Sequence, residues 1–296
     1  MKRIKRLLKI ISIALGSLIG ILLLAYSVIY IISENRLAQT YSLNPMRLNI
    51  PTDTTSIIKG KHIADVKGCE DCHGKDLGGK VFNSSIETGT FVGSNLTRGQ
   101  GGVGGTFNNT DWVRAIKHGV NRNGTALNFM PAHEYFHLSD EDLFNLIAYV
   151  KQIPAVDNIL PQTTLGPLIR TMFVLNKLPE VTPAAMIPDH GRKVSLRLEP
   201  GVSVNNGKYL TISCIGCHGD NFKGKDLGIP GIKPSVDITS TGNVGQWTEV
   251  QFTQVLRNGI RPDGTQINAK DMPWTMTANF TDDEIKSVYA FLQQLK

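Results

Sequence analysis

Cys69-Glu70-Asp71-Cys72-His73 recurs later in the chain as Cys214-Ile215-Gly216-Cys217-His218. A Cys-x-x-Cys-His run is the attachment site of a c-type haem. Its two thiols form thioethers to the two vinyl groups of one porphyrin, and the histidine after the second thiol falls beneath the iron as proximal ligand. The chain has four cysteines in all, and both pairs lead directly into histidine. Two other uses of paired cysteines compete. A redox dithiol wants a βαβ setting, which surrounds neither pair. A structural zinc site could combine two Cys-x-x-Cys pairs, but a long Pro-rich stretch separates these and each belongs to its own repeat. The motifs predict two haem c groups, one on Cys69 and Cys72 with His73, the other on Cys214 and Cys217 with His218.

The sequence around the two motifs also matches. Gly60-Lys61-His62-Ile63 precedes the first as Gly207-Lys208-Tyr209-Leu210 precedes the second. Asn95-Leu96-Thr97 corresponds to Asp237-Ile238-Thr239, and the run His118 to Thr125 corresponds to Asn258 to Thr265. The closing helices align as Ser139 to Val150 on Thr281 to Leu292, the first with Asp142 three residues into a variant capping box. Met130-Pro131 and Met272-Pro273 each stand eight residues before the residue that precedes the matching helix. A thioether is a soft, neutral axial ligand for haem iron, and the proline restrains the methionine backbone to extended conformations. Met130 and Met272 are therefore the expected sixth ligands. Met276 is the rival of Met272, while Met46, Met172 and Met186 read as core filler.

Arg122 and Arg261 are matched between repeats and could pair with haem propionates through bidentate guanidinium geometry; solvated surface arginines fit them equally well. His133 and His137 have Thr275 and Asn279 at their matching positions and are expected on the surface or in packing. Gly99 to Gly105 lacks the Gly-Lys-Ser/Thr ending of a phosphate loop and reads as a plain loop.

The first nine residues carry Lys2, Arg3, Lys5, Arg6 and Lys9, and from Leu7 to Ile32 the chain is almost continuously apolar, interrupted by Lys9 and a few small or hydroxylated residues. That run exceeds the ~20 residues a bilayer needs and the short core of a secretory signal, so an uncleaved anchor is expected. The basic flank stays cytoplasmic by the positive-inside rule, which puts everything after Ser33 on the periplasmic side of a bacterial cytoplasmic membrane. Setting the five basic residues aside reduces the formal net charge of +6 to about +1. A nucleic-acid partner is excluded on that ground.

The organisation expected is an anchor over 1–33, a stalk over 34–55, one unit over 56–153, a connector over 154–201 and a second unit over 202–296. Gly60 should let its helix approach the one near 145–152. Seven of the 14 prolines fall in the connector, whose apolar cluster from Leu165 to Leu178 is expected to cover the seam between units. No convincing alternating strand pattern is present, so the fold class expected is all-α.

Both units resemble class I-type cytochrome c domains: a helix into Cys-x-x-Cys-His, a loop bearing Met-Pro, and a closing helix. The paired arrangement, with its Asp/Asn-x-Thr, Arg-x-Asp/Asn-Gly-Thr and Met-Pro elements, resembles cytochrome c subunits of membrane-bound alcohol, aldehyde and gluconate dehydrogenases. That family usually carries three haem domains, where this chain has two, and a processed N-terminus in place of an anchor. The resemblance implies two tandem cytochrome c domains behind the transmembrane helix and a non-catalytic role in electron transfer. Electrons would pass from a dehydrogenase or quinone-linked donor to a respiratory acceptor. The alternatives are a dihaem enzyme, such as a peroxidase or sulfur-compound oxidoreductase, and the dihaem subunit of a haem-copper oxidase.

Overall fold

A computed structural model describes residues 2–43, 48–192, 196–226 and 233–296; Met46 lies outside these. The first element, α1 (Lys2–Leu37), runs as one helix through the apolar stretch and five residues beyond Ile32. Its flanks are exposed along the apolar run, and it is long and apolar enough to cross a membrane.

The first unit is built from α2 (Thr54–Val66), the short α3 (Cys69–His73), strands β1 (Lys80–Ser85) and β2 (Gly89–Gly93), then α4 (Asn109–His118), α5 (Ala132–Tyr135) and α6 (Asp140–Val150). Helix α2 starts on Asp53, whose carboxylate accepts from the Ser56 amide, and packs on α6. Gly60 makes the crossing possible: a Cβ there would collide with the Asn145 carbonyl and Tyr149. Helix α4 carries a full capping box between Asn108 and Asp111 and stops at Gly119, whose φ of +63° suits glycine.

The all-α expectation needs correction. Strands β1 and β2 form an antiparallel hairpin, and β3 (Thr164–Leu165) from the connector adds to it in the order β1-β2-β3. A register shift between Val81 and Asn83 breaks the two-residue alternation, so the strand period is lost just where the apolar residues stand. Ser84, Ser85, Thr88 and Asn83 close the hairpin with side-chain hydrogen bonds. The fold is mostly helical with one small sheet.

The apolar part of the connector, α7 (Pro167–Val174), also differs from expectation. Instead of covering the seam between the units, it packs on the far end of α1. Ile169, Phe173 and Val181 form a small core with Leu37, Phe91 and Phe129. Polar anchors explain the choice. Arg170 bonds Ser33 and Glu34 and lies over the Tyr30 ring, while Arg36 donates to the Phe173 carbonyl and Asn176.

The second unit repeats the first with α8 (Val204–Leu210), α9 (Ile212–His218), α10 (Glu249–Asn258), α11 (Trp274–Thr277) and α12 (Asp282–Leu292). Gly207 gives α8 the same close approach to α12, its face set against the Ser287 carbonyl and Phe291. The two cores interlock. Tyr209 and Ile212 of the second unit sit in the first core, and Val66 of the first sits in the second.

Candidate functional site

In each unit the histidine of the Cys-x-x-Cys-His helix is held by one backbone carbonyl. His73 Nδ1 donates to the Ser94 carbonyl at 2.7 Å, and His218 Nδ1 donates to the Val236 carbonyl at 2.9 Å. With Nδ1 carrying the proton, Nε2 is left as the ring's lone-pair nitrogen. Burial keeps both imidazoles below the ordinary histidine pKa, opposed in each case by the carbonyl bond.

The carbonyls are themselves fixed by a matched turn. Asn95 Oδ1 accepts from the amide and hydroxyl of Thr97 at 2.9 and 2.8 Å; Asp237 Oδ1 accepts from those of Thr239, both at 2.7 Å. The next amide closes each turn, Leu96 to the Leu77 carbonyl and Ile238 to that of Phe222, and both accepting residues have positive φ. The Asp/Asn-x-Thr element thus orients the histidine through the carbonyl just before it. Sequence comparison finds the element but not this role, because a backbone acceptor leaves no residue-type signal.

In the second unit Cys214, Cys217, His218 and Met272 line one cavity of about 520 Å³, within the range of cofactor sites. Its other walls are largely apolar, including Trp247, Phe252 and Leu256. Met276 also lines it, but a Cβ on Gly68 of the first unit would stand 3.0 Å from its sulfur, so it sits where the two units meet. In the first unit Met130 and Cys69 pack against the same core cluster. The four thiols are free. Burial, helped by Cys72, pushes Cys69 up to about 12, and burial does the same to Cys214. Among the described residues no three His, Cys, Asp or Glu side chains gather as a metal site. The donor set and the apolar cavity fit a covalently held haem.

The two arginines are placed differently. Arg122 is tied to Asp111 at 2.7 Å and lies over Phe107. Arg261 lines the cavity of the second unit and bonds Thr265. His133 and His137 are half-buried, and His118 meets His190 Nδ1 to Nδ1 at 3.0 Å, away from either motif.

The motifs approach each other across the seam. Lys67, next to Gly68, donates to Ser213, next to Cys214, at 2.9 Å. Glu134 reaches over Gly216, between the second pair of thiols; burial lifts its pKa to about 7 and lowers that of Lys67. Glu134 and Met276 hold matching places in the repeats, each four residues past its Met-Pro methionine.

Two crossed latches clasp this seam, and sequence reading missed both. Tyr209 of α8 accepts from the Ser139 amide at 3.1 Å and donates to Asp142 at 2.6 Å, completing the cap of α6 where aspartate replaces the longer glutamate. His62 of α2 meets Glu284 at 2.9 Å, and that carboxylate closes the capping box of α12 through the Thr281 amide. His62 and Tyr209 are matched positions in the two repeats, as are Asp142 and Glu284. The signal was present as a shared place rather than a shared residue type.

Comparison with known proteins accords with this geometry. The family profile described as cytochrome c matches residues 204–296, and the one described as cytochrome c oxidase, cbb3-type, subunit III matches 57–150. The alcohol dehydrogenase (quinone) cytochrome c subunit of Gluconobacter oxydans is 25% identical over 82% of this chain and 55% of its own length. The gluconate 2-dehydrogenase cytochrome c subunit of Pantoea cypripedii is 32% identical over 80% of this chain and 59% of its own. The fructose dehydrogenase cytochrome subunit of Gluconobacter japonicus is 35% identical over 30% of this chain and 21% of its own. The chain spans under two thirds of the length of each of these relatives.

Proposed function

We propose that this chain, which carries two cytochrome c domains, serves as the dihaem electron-transfer subunit of a membrane dehydrogenase complex, with both domains on the periplasmic side. Haem c supplies one-electron chemistry by alternating between ferric and ferrous iron. Cys69, Cys72, Cys214 and Cys217 would hold the two groups covalently, with His73 and Met130, and His218 and Met272, as axial ligands. The chain's own part is orientation and exclusion of water. The Ser94 and Val236 carbonyls keep each imidazole in one tautomer, and the apolar walls around Met272 lower the local dielectric. Two matched methionines favour a closed sixth position over the open iron that a peroxidase needs. The seam between the motifs favours electron exchange between the domains, and the named relatives suggest a sugar- or alcohol-oxidising partner.

The observation that carries this reading is the twice-built support of the proximal histidine, from Asx turn to carbonyl to Nδ1. The test is haem stoichiometry of the detergent-solubilised chain, followed by identification of proteins that co-purify. Two haems retained after acid-acetone extraction, with a dehydrogenase subunit alongside, is the expected result. One haem per chain, or bound zinc in its place, overturns it.

A further inference from the structure

The α7 helix is apolar on two faces. Ile169 and Phe173 turn inward to the core shared with Leu37. Leu168, Met172 and the C-cap Leu175 follow at four and seven residues' spacing, a second stripe turned roughly 110° from the inner one at 100° per residue, with Leu168 47% and Leu175 62% exposed. Beside the N-terminal end of that stripe lies the tip of the β1–β2 hairpin, since the Leu168 amide bonds the Glu87 carbonyl at 3.0 Å. The tip residue Ile86 is 89% exposed. A water-soluble face does not ordinarily gather such residues on a helix already apolar on its inner side.

The place of this face relative to α1 identifies its cover. Twenty residues from Ile10 reach Ile29, enough for the hydrocarbon core at about 1.5 Å per residue, so Tyr30 falls in the interfacial belt. Exposure agrees: Ile31 is 59% exposed, and Ser33 is 0% exposed because α7 covers it. Contacts then climb α1 as α7 proceeds, from Arg170 on Tyr30, Ser33 and Glu34 to Phe173 and Asn176 on Arg36. The start of α7, with the hairpin tip beside it, therefore packs lower on α1 than the end of α7 does, on the side of the span.

We propose that Ile86 and Leu168 form a membrane-seating edge that enters the boundary between headgroups and acyl chains. The proposal rests on reading α1 as a retained span. The neighbouring Glu87, fully exposed, keeps the edge at headgroup depth and out of the hydrocarbon. Seating a second point besides α1 removes the domain's freedom to swing about the span, and so fixes the haem motifs at one height above the lipid.

The test uses the full haem-loaded chain, whose native cysteines are consumed, in vesicles of phosphatidylcholine and phosphatidylglycerol. A nitroxide is placed singly on Ile86→Cys, on Leu22→Cys within the span, or on Val250→Cys in the second domain. Collision with lipid-soluble oxygen is compared with collision with a water-soluble nickel chelate. The expected result is an oxygen-favoured label at 22 and 86 and a chelate-favoured label at 250. Adding Leu168→Asp should return the label at 86 to the behaviour of the label at 250. If the label at 22 is oxygen-favoured and the one at 86 is not, the seating proposal is overturned and the face passes to a protein partner. If the label at 22 meets the chelate instead, the span itself is wrong, and the seating proposal falls with it.

Discussion

Replacing His62 with glutamine removes the one titratable member of the crossed latches within the physiological range. His62 is 32% exposed and Glu284 12%. The Glu284 hydrogen bond, opposed by burial, lifts His62 above its ordinary 6.5. Burial would raise Glu284, but the bonds from His62 and Thr281 outweigh it and lower the carboxyl below 4.5. The raised histidine contributes stability that is complete below pH 6.5 and lost as pH rises through its folded pKa. The lowered glutamate contributes above pH 4.5 and is lost as pH falls through its own. The latch is therefore strongest between about pH 4.5 and 6.5. A charge-assisted hydrogen bond contributes ~1.5–3 kcal/mol; partial exposure of His62 reduces that to about 1–2 kcal/mol. For the two domains unfolding together, about 240 residues, that is a shift of roughly 2–8 °C in midpoint. Thermal unfolding followed by circular dichroism should show wild type above His62→Gln by this amount at pH 5.5, with the gap closing by pH 9. The difference is read rather than either profile, because burial lowers His118, His133, His137 and His190 and makes them act in the opposite direction. A gap that is absent, or constant across pH, refutes the latch.

Tyr209→Phe breaks the companion latch, and burial and Asp142 hold that phenol far above its ordinary pKa. Its loss of about 1–3 kcal/mol, read from the denaturant midpoint, should not change between pH 5 and 9. Gly207→Ala gains ~1 kcal/mol of helix propensity but drives a methyl into the Ser287 carbonyl and Phe291. Overpacking of about 1–3 kcal/mol should win, giving a net lower midpoint, with Gly60→Ala behaving alike. Met272→Ala should leave haem on Cys214 and Cys217 yet open the reduced second site to carbon monoxide, seen in the Soret band, while Met276→Ala and Met186→Ala should not.

What could be read from the sequence was whatever repeats in residue type. The Cys-x-x-Cys-His runs, the Met-Pro pairs, the glycines at the helix crossings and the ends of α4 and α6 all declare themselves by spacing or by cap chemistry. What could not be read depends on partners remote in sequence. The β1–β2 hairpin hides behind a bulge. The support of each histidine runs through a backbone carbonyl. Arg122 and Arg261 look equivalent in sequence, yet one is held by Asp111 within its own domain and the other lines the cavity. Helix α7 looked like a cover for the seam because only its apolarity was legible. Arg170 and Arg36, which bind it to α1, are polar and lie in distant segments.

The crossed latches answer a problem posed by the composition of each domain. Between its first and last helices a unit is largely Gly-, Asn- and Thr-rich loop, too poor in apolar side chains to make a large core of its own. Exchange of core residues across the seam compensates: Tyr209 and Ile212 complete one core and Val66 the other. The same contacts bring Lys67 beside Ser213 and Glu134 over Gly216, so stability of the pair and proximity of the haem motifs follow from one interface. A substitution that weakens the seam should therefore loosen both domains together. That coupling also links the second domain to α1. Its position passes through the latches to α6 and α2, through the first domain to Phe91 and Phe129, and through α7 to Ser33 and Arg36 at the end of α1. The placement of the second domain relative to α1 is thus set by the packing of α7 on α1.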